Sequence, residues 1–170
     1  MIALNQPFQL LTETECADFI SRARTLEMVK GQTYTNQTHV RTNDIIWFSF
    51  TEDERNRFWE LVKDYWDQVH WYEHPVQISI YKPGQYYDWH TDDKPNRRRS
   101  SIRHLTLTCN LQCAPGALFE TRLNSHDLKL GEAIIIPSES EHRACAPTEG
   151  ERWSLTIWYM KKRNAAETES

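Results

Sequence analysis

Apolar positions along the chain change their period once, from helical spacing to strand alternation. Thr12-Glu13-Thr14-Glu15 has the form of a capping box, with a threonine and, three positions on, a glutamate to satisfy each other's backbone N–H groups. Cys16, Phe19, Ile20 and Ala23 follow at helical spacing, predicting a first helix over about residues 13–25. The same opening recurs at Thr51-Glu52-Asp53-Glu54, where acidic residues suit the positive end of a helix dipole. Phe58, Val62, Tyr65 and Val69 then form one stripe of a second amphipathic helix.

Between the helices, Ile45–Phe50 reads as a strand. From Pro75 onward the predicted strands are Val76–Tyr81, Tyr86–Thr91, Ile102–Leu111, Ala117–Leu123, Ala133–Ile136 and Arg152–Tyr159. Turn signals at Pro83-Gly84, Pro95-Asn96, Pro115-Gly116 and Glu149-Gly150 separate several of them. Helices first and many short strands afterwards predict an α+β fold, a sheet sandwich or barrel braced by N-terminal helices. The polar tail from Lys161 to Ser170 is expected to fray.

Length and charge narrow the setting. With 170 residues, 20.2 kDa, 39% hydrophobic and 26% charged, the chain reads as one globular domain spanning 1–170. No apolar run is long enough to span a bilayer, and Met1 to Leu11 has no basic-then-apolar leader pattern. Cys16, Cys109, Cys113 and Cys145 form no CxxC pair, so they are expected as reduced thiols in a cytoplasmic protein. A net charge of -4 gives no reason to expect a general nucleic-acid binder. Arg97-Arg98-Arg99 is a local exception, either a solvated loop at an entrance or a clamp for phosphate or acidic peptide. The seven tryptophans are expected chiefly in the core. Nothing in the sequence sets the oligomeric state.

Candidate chemistry gathers in three places. In Tyr86–Thr91 and its continuation, alternation points His90 and Asp92 the same way. An imidazole and a carboxylate so placed can share one metal ion. His142, just past the apolar strand ending at Ile136, is a third donor that an antiparallel sheet can bring beside them. Two histidines and one carboxylate with open positions suit non-haem Fe(II). In the last strand Arg152, Ser154 and Thr156 share one face, opposite Trp153, Leu155, Ile157 and Tyr159. If both faces are covered, Arg152 is a buried cation in need of an anionic partner, and Ser154 can add a hydroxyl.

The order His90-x-Asp92, His142, Arg152-x-Ser154 resembles the Fe(II)/2-oxoglutarate oxygenases, and most of all their prolyl-4-hydroxylase-like branch. Tyr81-Lys82-Pro83-Gly84-Gln85-Tyr86-Tyr87-Asp88-Trp89-His90-Thr91-Asp92 and Gly150-Glu151-Arg152-Trp153-Ser154 carry the likeness, which covers roughly residues 40–160. The resemblance implies a double-stranded β-helix, or jelly roll, with Fe(II) held by His90, Asp92 and His142. It implies 2-oxoglutarate and O2 as co-substrates, with ascorbate as an accessory reductant. Arg152 would hold the far carboxylate of 2-oxoglutarate, assisted by Ser154, with Tyr81 alongside; Tyr81 also reads as a half-buried strand tyrosine. One departure is Pro115-Gly116-Ala117-Leu118, where the family often has Gly-Gly-x-Leu.

The resemblance further implies hydroxylation, since Asp92 fills the place that halogenating relatives leave open. Tyr87 and Trp158 match positions that flank the target proline in prolyl hydroxylases, though Trp158 also reads as barrel filling and Tyr87 as a rim residue. The nucleic-acid demethylase branch usually carries a second arginine where this chain has Trp158. A prolyl residue of a protein or peptide is thus the expected substrate. A free amino acid or small metabolite is the alternative, and a metal-binding jelly roll without oxygenase activity the reading from another class. His39, His70, His74 and His126 read as loop or surface residues, and His104 as a satisfied strand histidine.

Overall fold

The computed structural model describes residues 2–32, 40–70, 76–93 and 101–162. The turn at Pro95-Asn96, the run Arg97-Arg98-Arg99, His39 and His74 lie outside them. Eleven strands and two helices are described: β1 (Phe8–Gln9), α1 (Glu13–Ala23), β2 (Met28–Lys30), β3 (Asp44–Phe48), α2 (Glu52–Glu60), β4 (Val76–Tyr81), β5 (Tyr87–His90), β6 (Ser101–Gln112), β7 (Phe119–Thr121), β8 (Ser125–His126), β9 (Glu132–Pro137), β10 (His142–Ala144) and β11 (Arg152–Lys162).

Both capping boxes form. The Thr12 hydroxyl accepts from the Glu15 N–H while the Glu15 carboxylate accepts from the Thr12 N–H, and Thr51 and Glu54 do the same. The second helix is shorter than its apolar stripe predicts. It ends at Glu60, and the chain continues through a 3-10 turn at Lys63–Tyr65. At the break the buried Tyr159 hydroxyl donates to the Phe58 carbonyl at 2.8 Å, and the Val62 N–H, which an α-helix would send to Phe58, goes to Trp59 instead. Phe58, Val62 and Val69 still reach the core.

The strands form two antiparallel sheets, of seven strands in the order β1-β9-β6-β11-β4-β3-β2 and four in the order β5-β10-β7-β8. The fold is the expected double-stranded β-helix, mostly sheet with two helices. β4 matches its expected span; β1, β2, β8 and β10 are two or three residues long, too short to register as alternation. The expected strand Ala117–Leu123 contracts to β7, because the Thr121 N–H turns back onto the Asn124 carbonyl at 2.8 Å.

Cross-strand register fixes two different faces on the seven-stranded sheet. Ile46, Ile78, Leu155, Leu107 and Ile135 face outward with Phe19 and Phe58 of the helices in one hydrophobic core. Ser79, Ser154 and Asn110 lie across from one another in β4, β11 and β6, as do Gln77, Thr156 and Thr108. This second face turns toward the smaller sheet, where Ile134 and Ile136 pack on Phe119 and Leu128. The candidate chemistry lies between the sheets.

Candidate metal centre

β5 and β10 are neighbours, and His90 lies directly across from His142. Two residues further along β10, Ala144 faces Tyr87, so three steps on β5 match two on β10. This bulge puts Tyr87 on the same side as His90, where regular alternation would separate them. Their rings stack with centroids 3.4 Å apart and planes 4° apart.

Asp92 does not continue the strand as alternation suggests. β5 stops at His90, and the Asp92 N–H donates to the Ser138 carbonyl at 2.8 Å, a tether that swings the carboxylate back to the imidazoles. Asp92 Oδ1 is 3.6 Å from His90 Nε2, and Oδ2 is 3.4 Å from His142 Nε2. The donor atoms of all three residues lie within 4.8 Å of one another. Adjacent ligands at about 2.1 Å from one ion are roughly 3 Å apart, so small side-chain adjustments suffice.

Each imidazole is oriented from behind. His90 Nδ1 donates to the Asp88 carbonyl at 2.7 Å and His142 Nδ1 to the Ser140 carbonyl at 2.8 Å, leaving both Nε2 atoms to face the centre. Burial and the neighbouring His142 push His90 down to about 3, so it is a neutral donor. Burial alone would raise Asp92, but the two imidazoles, His142 foremost, hold its carboxyl well below the usual range. Burial opposes charge on His142 too, yet the Asp92 carboxylate outweighs it and raises His142. A bound cation would stand where that proton otherwise sits.

The inward face of β11 holds an unbalanced cation. Arg152 is 1% exposed. Its Nε donates to Asn110 Oδ1 at 2.8 Å, while Nη1 is buried with no hydrogen-bond partner. Asn110 is itself fixed, its Nδ2 donating to the Leu128 carbonyl at 2.6 Å. The ionisable groups acting most on Arg152 are the Tyr81 phenol and the thiols of Cys113, Cys145 and Cys109, not carboxylates. Burial accordingly depresses the guanidinium. Tyr81 faces Arg152 across β4 and β11, with Cζ 5.5 Å from the ring centroid, and Ser154 is buried on the same face. A guanidinium sealed from water with an orphaned N–H is costly unless an anion arrives, and a small carboxylate fits that need. The donor set and this cradle both suit iron and 2-oxoglutarate.

Trp158 extends the same face to Asp92, where its Nε1 donates to Oδ2 at 3.1 Å. Arg103 covers the indole, its Cζ 3.6 Å from the ring. His104 instead sits near Gln68, 3.5 Å away.

Sequence patterns alone left out Thr106, Asn110, Ser138 and Arg41. The first two were visible as polar positions alternating within the apolar strand β6. Arg41 had no such signal. It is buried, donates through Nε to Asn43 Oδ1 at 2.8 Å and through Nη2 to Gln77 Oε1 at 2.5 Å, and lies 4.5 Å from the Tyr87 ring centroid. Gly31 makes room, since a Cβ there would stand 2.5 Å from Arg41 Nε.

Comparison with known proteins supplies the family. The family described as the 2OG-Fe(II) oxygenase superfamily matches residues 76–160. No curated protein sequence matches the chain. Among solved structures, a viral collagen prolyl hydroxylase from Paramecium Bursaria Chlorella virus-1 is similar in fold, with TM-score 0.73, 20% identity, and 92% of this chain and 95% of that chain covered. A Pseudomonas putida prolyl-4-hydroxylase gives TM-score 0.69 at 17% identity, covering 94% of this chain and 92% of that one. A Trichoplax adhaerens prolyl hydroxylase, solved with a hypoxia inducible factor peptide fragment, gives 0.71 at 15% identity over 96% and 84%.

Proposed function

This chain belongs to the 2OG-Fe(II) oxygenase superfamily, and from that membership we propose that it hydroxylates a prolyl residue of a protein or peptide. Fe(II), 2-oxoglutarate and O2 supply the oxidation: one oxygen atom goes to the substrate C–H, the other to succinate, and CO2 leaves. His90 and His142 would hold the metal through Nε2, and Asp92 through its carboxylate. Arg152, with Ser154 and Tyr81, would receive the far carboxylate of 2-oxoglutarate. The observation carrying this reading is the buried, unpartnered Nη1 of Arg152 on the face of β11 that also bears the Trp158–Asp92 contact. A metal-binding jelly roll of another kind has no use for that cation.

Tyr87 and Trp158 support the prolyl assignment, for each places an aromatic ring against one of the proposed metal ligands. The apolar packing of Ile134, Ile136, Phe119 and Leu128 between the sheets limits water near the reacting atoms. The similar fold of named prolyl hydroxylases, one of them solved with a peptide, agrees. The test is incubation with Fe(II), 2-oxoglutarate, O2 and a library of proline-containing peptides, read by mass. Succinate and a single added oxygen on proline are expected, and both should vanish in His90→Ala, Asp92→Ala and His142→Ala. Oxygen found only on a free amino acid or on another side chain would overturn the prolyl assignment.

A further inference from the structure

The two oxygens of Asp92 are in unequal surroundings. Oδ2 accepts from Thr106 Oγ1 at 2.9 Å and from Trp158 Nε1 at 3.1 Å, and lies 3.4 Å from His142 Nε2. Oδ1 accepts no hydrogen bond from any described residue; its nearest basic neighbour is His90 Nε2 at 3.6 Å. The Thr106 hydroxyl is also 2.8 Å from Ser138 Oγ. A threonine has one hydroxyl proton, which goes to the ionised carboxylate, so Ser138 donates to Thr106. Ser138 is fully buried, and its carbonyl accepts the N–H groups of both Asp92 and Asp93. One serine thus fixes the backbone of Asp92 and, through Thr106, its side chain.

We propose that Ser138, Thr106 and the Trp158 N–H lock Asp92 so that Oδ1 alone is offered to the metal. Thr106 and Trp158 are then positioning residues for the iron site. This inference rests on reading His90, Asp92 and His142 as that site, not on the choice of substrate. The physical reason is the count of coordination positions. In a six-coordinate ion, two imidazoles and one carboxylate oxygen leave three positions open. A carboxylate bound through both oxygens would leave two, enough for a chelating keto acid but not for O2 as well. Two donors on Oδ2 use the lone pairs that such bidentate binding needs. The threonine bond is anchored in the sheet, whereas the indole bond ties Asp92 to a ring already held under Arg103.

Titration of Co(II) into the protein without 2-oxoglutarate or peptide tests the lock, read by affinity and by the visible absorption of the ion, whose intensity reports coordination number. Thr106→Val and Trp158→Phe each remove one donor, the first almost without change of volume and the second by trimming the indole to a single ring. Each should weaken Co(II) about tenfold, and both together about a hundredfold, with an altered spectrum. Thr106→Ser, which keeps the hydroxyl, should restore parent behaviour. Folded Thr106→Val and Trp158→Phe proteins with the parent's affinity and spectrum would overturn the proposal, as would a loss that Thr106→Ser fails to restore. If Thr106→Val does not fold, Trp158→Phe decides alone. His90→Ala separates the two readings: tight Co(II) binding there would sink the metal centre itself, whereas loss there with unchanged donor variants would sink only the lock.

Discussion

The two faces of the seven-stranded sheet are both buried and are built on opposite principles. The outward face, with Ile46, Ile78, Leu107, Leu155, Ile135 and the helix residue Phe58, is hydrocarbon closed on hydrocarbon. The inward face carries Gln77, Ser79, Thr106, Thr108, Asn110, Ser154 and Arg152, all buried and polar. On the outward face burial stabilises the fold by roughly 25 cal/mol for each Å² of apolar surface removed from water. On the inward face burial costs free energy wherever a group lacks a partner, and Arg152 Nη1 lacks one. Stability is concentrated on one side of the sheet and binding potential on the other.

The largest effect should come from the outward face. Phe58→Ala leaves a cavity at a fully buried site and should cost about 3–5 kcal/mol in chemical denaturation. A second, ligand-dependent effect belongs to the inward side. Mn(II) or Fe(II) at a hundred times its dissociation constant should add about 2.7 kcal/mol, seen as a rise in melting temperature that EDTA reverses and His142→Ala abolishes. Arg152→Met should leave the ligand-free protein unchanged or more stable by about 1–4 kcal/mol, since it removes an unpaired buried cation. Destabilisation on the scale of Phe58→Ala would erase the distinction between the faces. The smallest effect is expected far from both: Thr12→Ala should cost about 1 kcal/mol through lost capping and leave metal affinity untouched.

Much of this division was legible in the sequence. Capping boxes, the strand pattern and the alternation of Arg152, Ser154 and Thr156 against Leu155 and Ile157 each rest on neighbouring residues, and the register across β4, β6 and β11 bears out the polar face. Features set by distant contacts were not legible. The second helix stops where the Phe58 carbonyl meets the Tyr159 hydroxyl of a distant strand. Tyr87 joins the face of His90 only because of a bulge, and Asp92 returns to the imidazoles only because Ser138 holds its N–H. Arg41 reaches Gln77 from a loop with no periodicity of its own. Local pattern encodes the faces; the turns and hydrogen bonds that aim individual side chains depend on the assembled sheets.

The account is tested most directly by calorimetric titration of 2-oxoglutarate into Mn(II)-loaded parent protein and Arg152→Met. The parent should bind, and the variant should bind at least about a hundredfold more weakly, a difference of about 2.8 kcal/mol. Equal affinities would contradict the claim that the buried guanidinium of Arg152 is the anchor for the co-substrate.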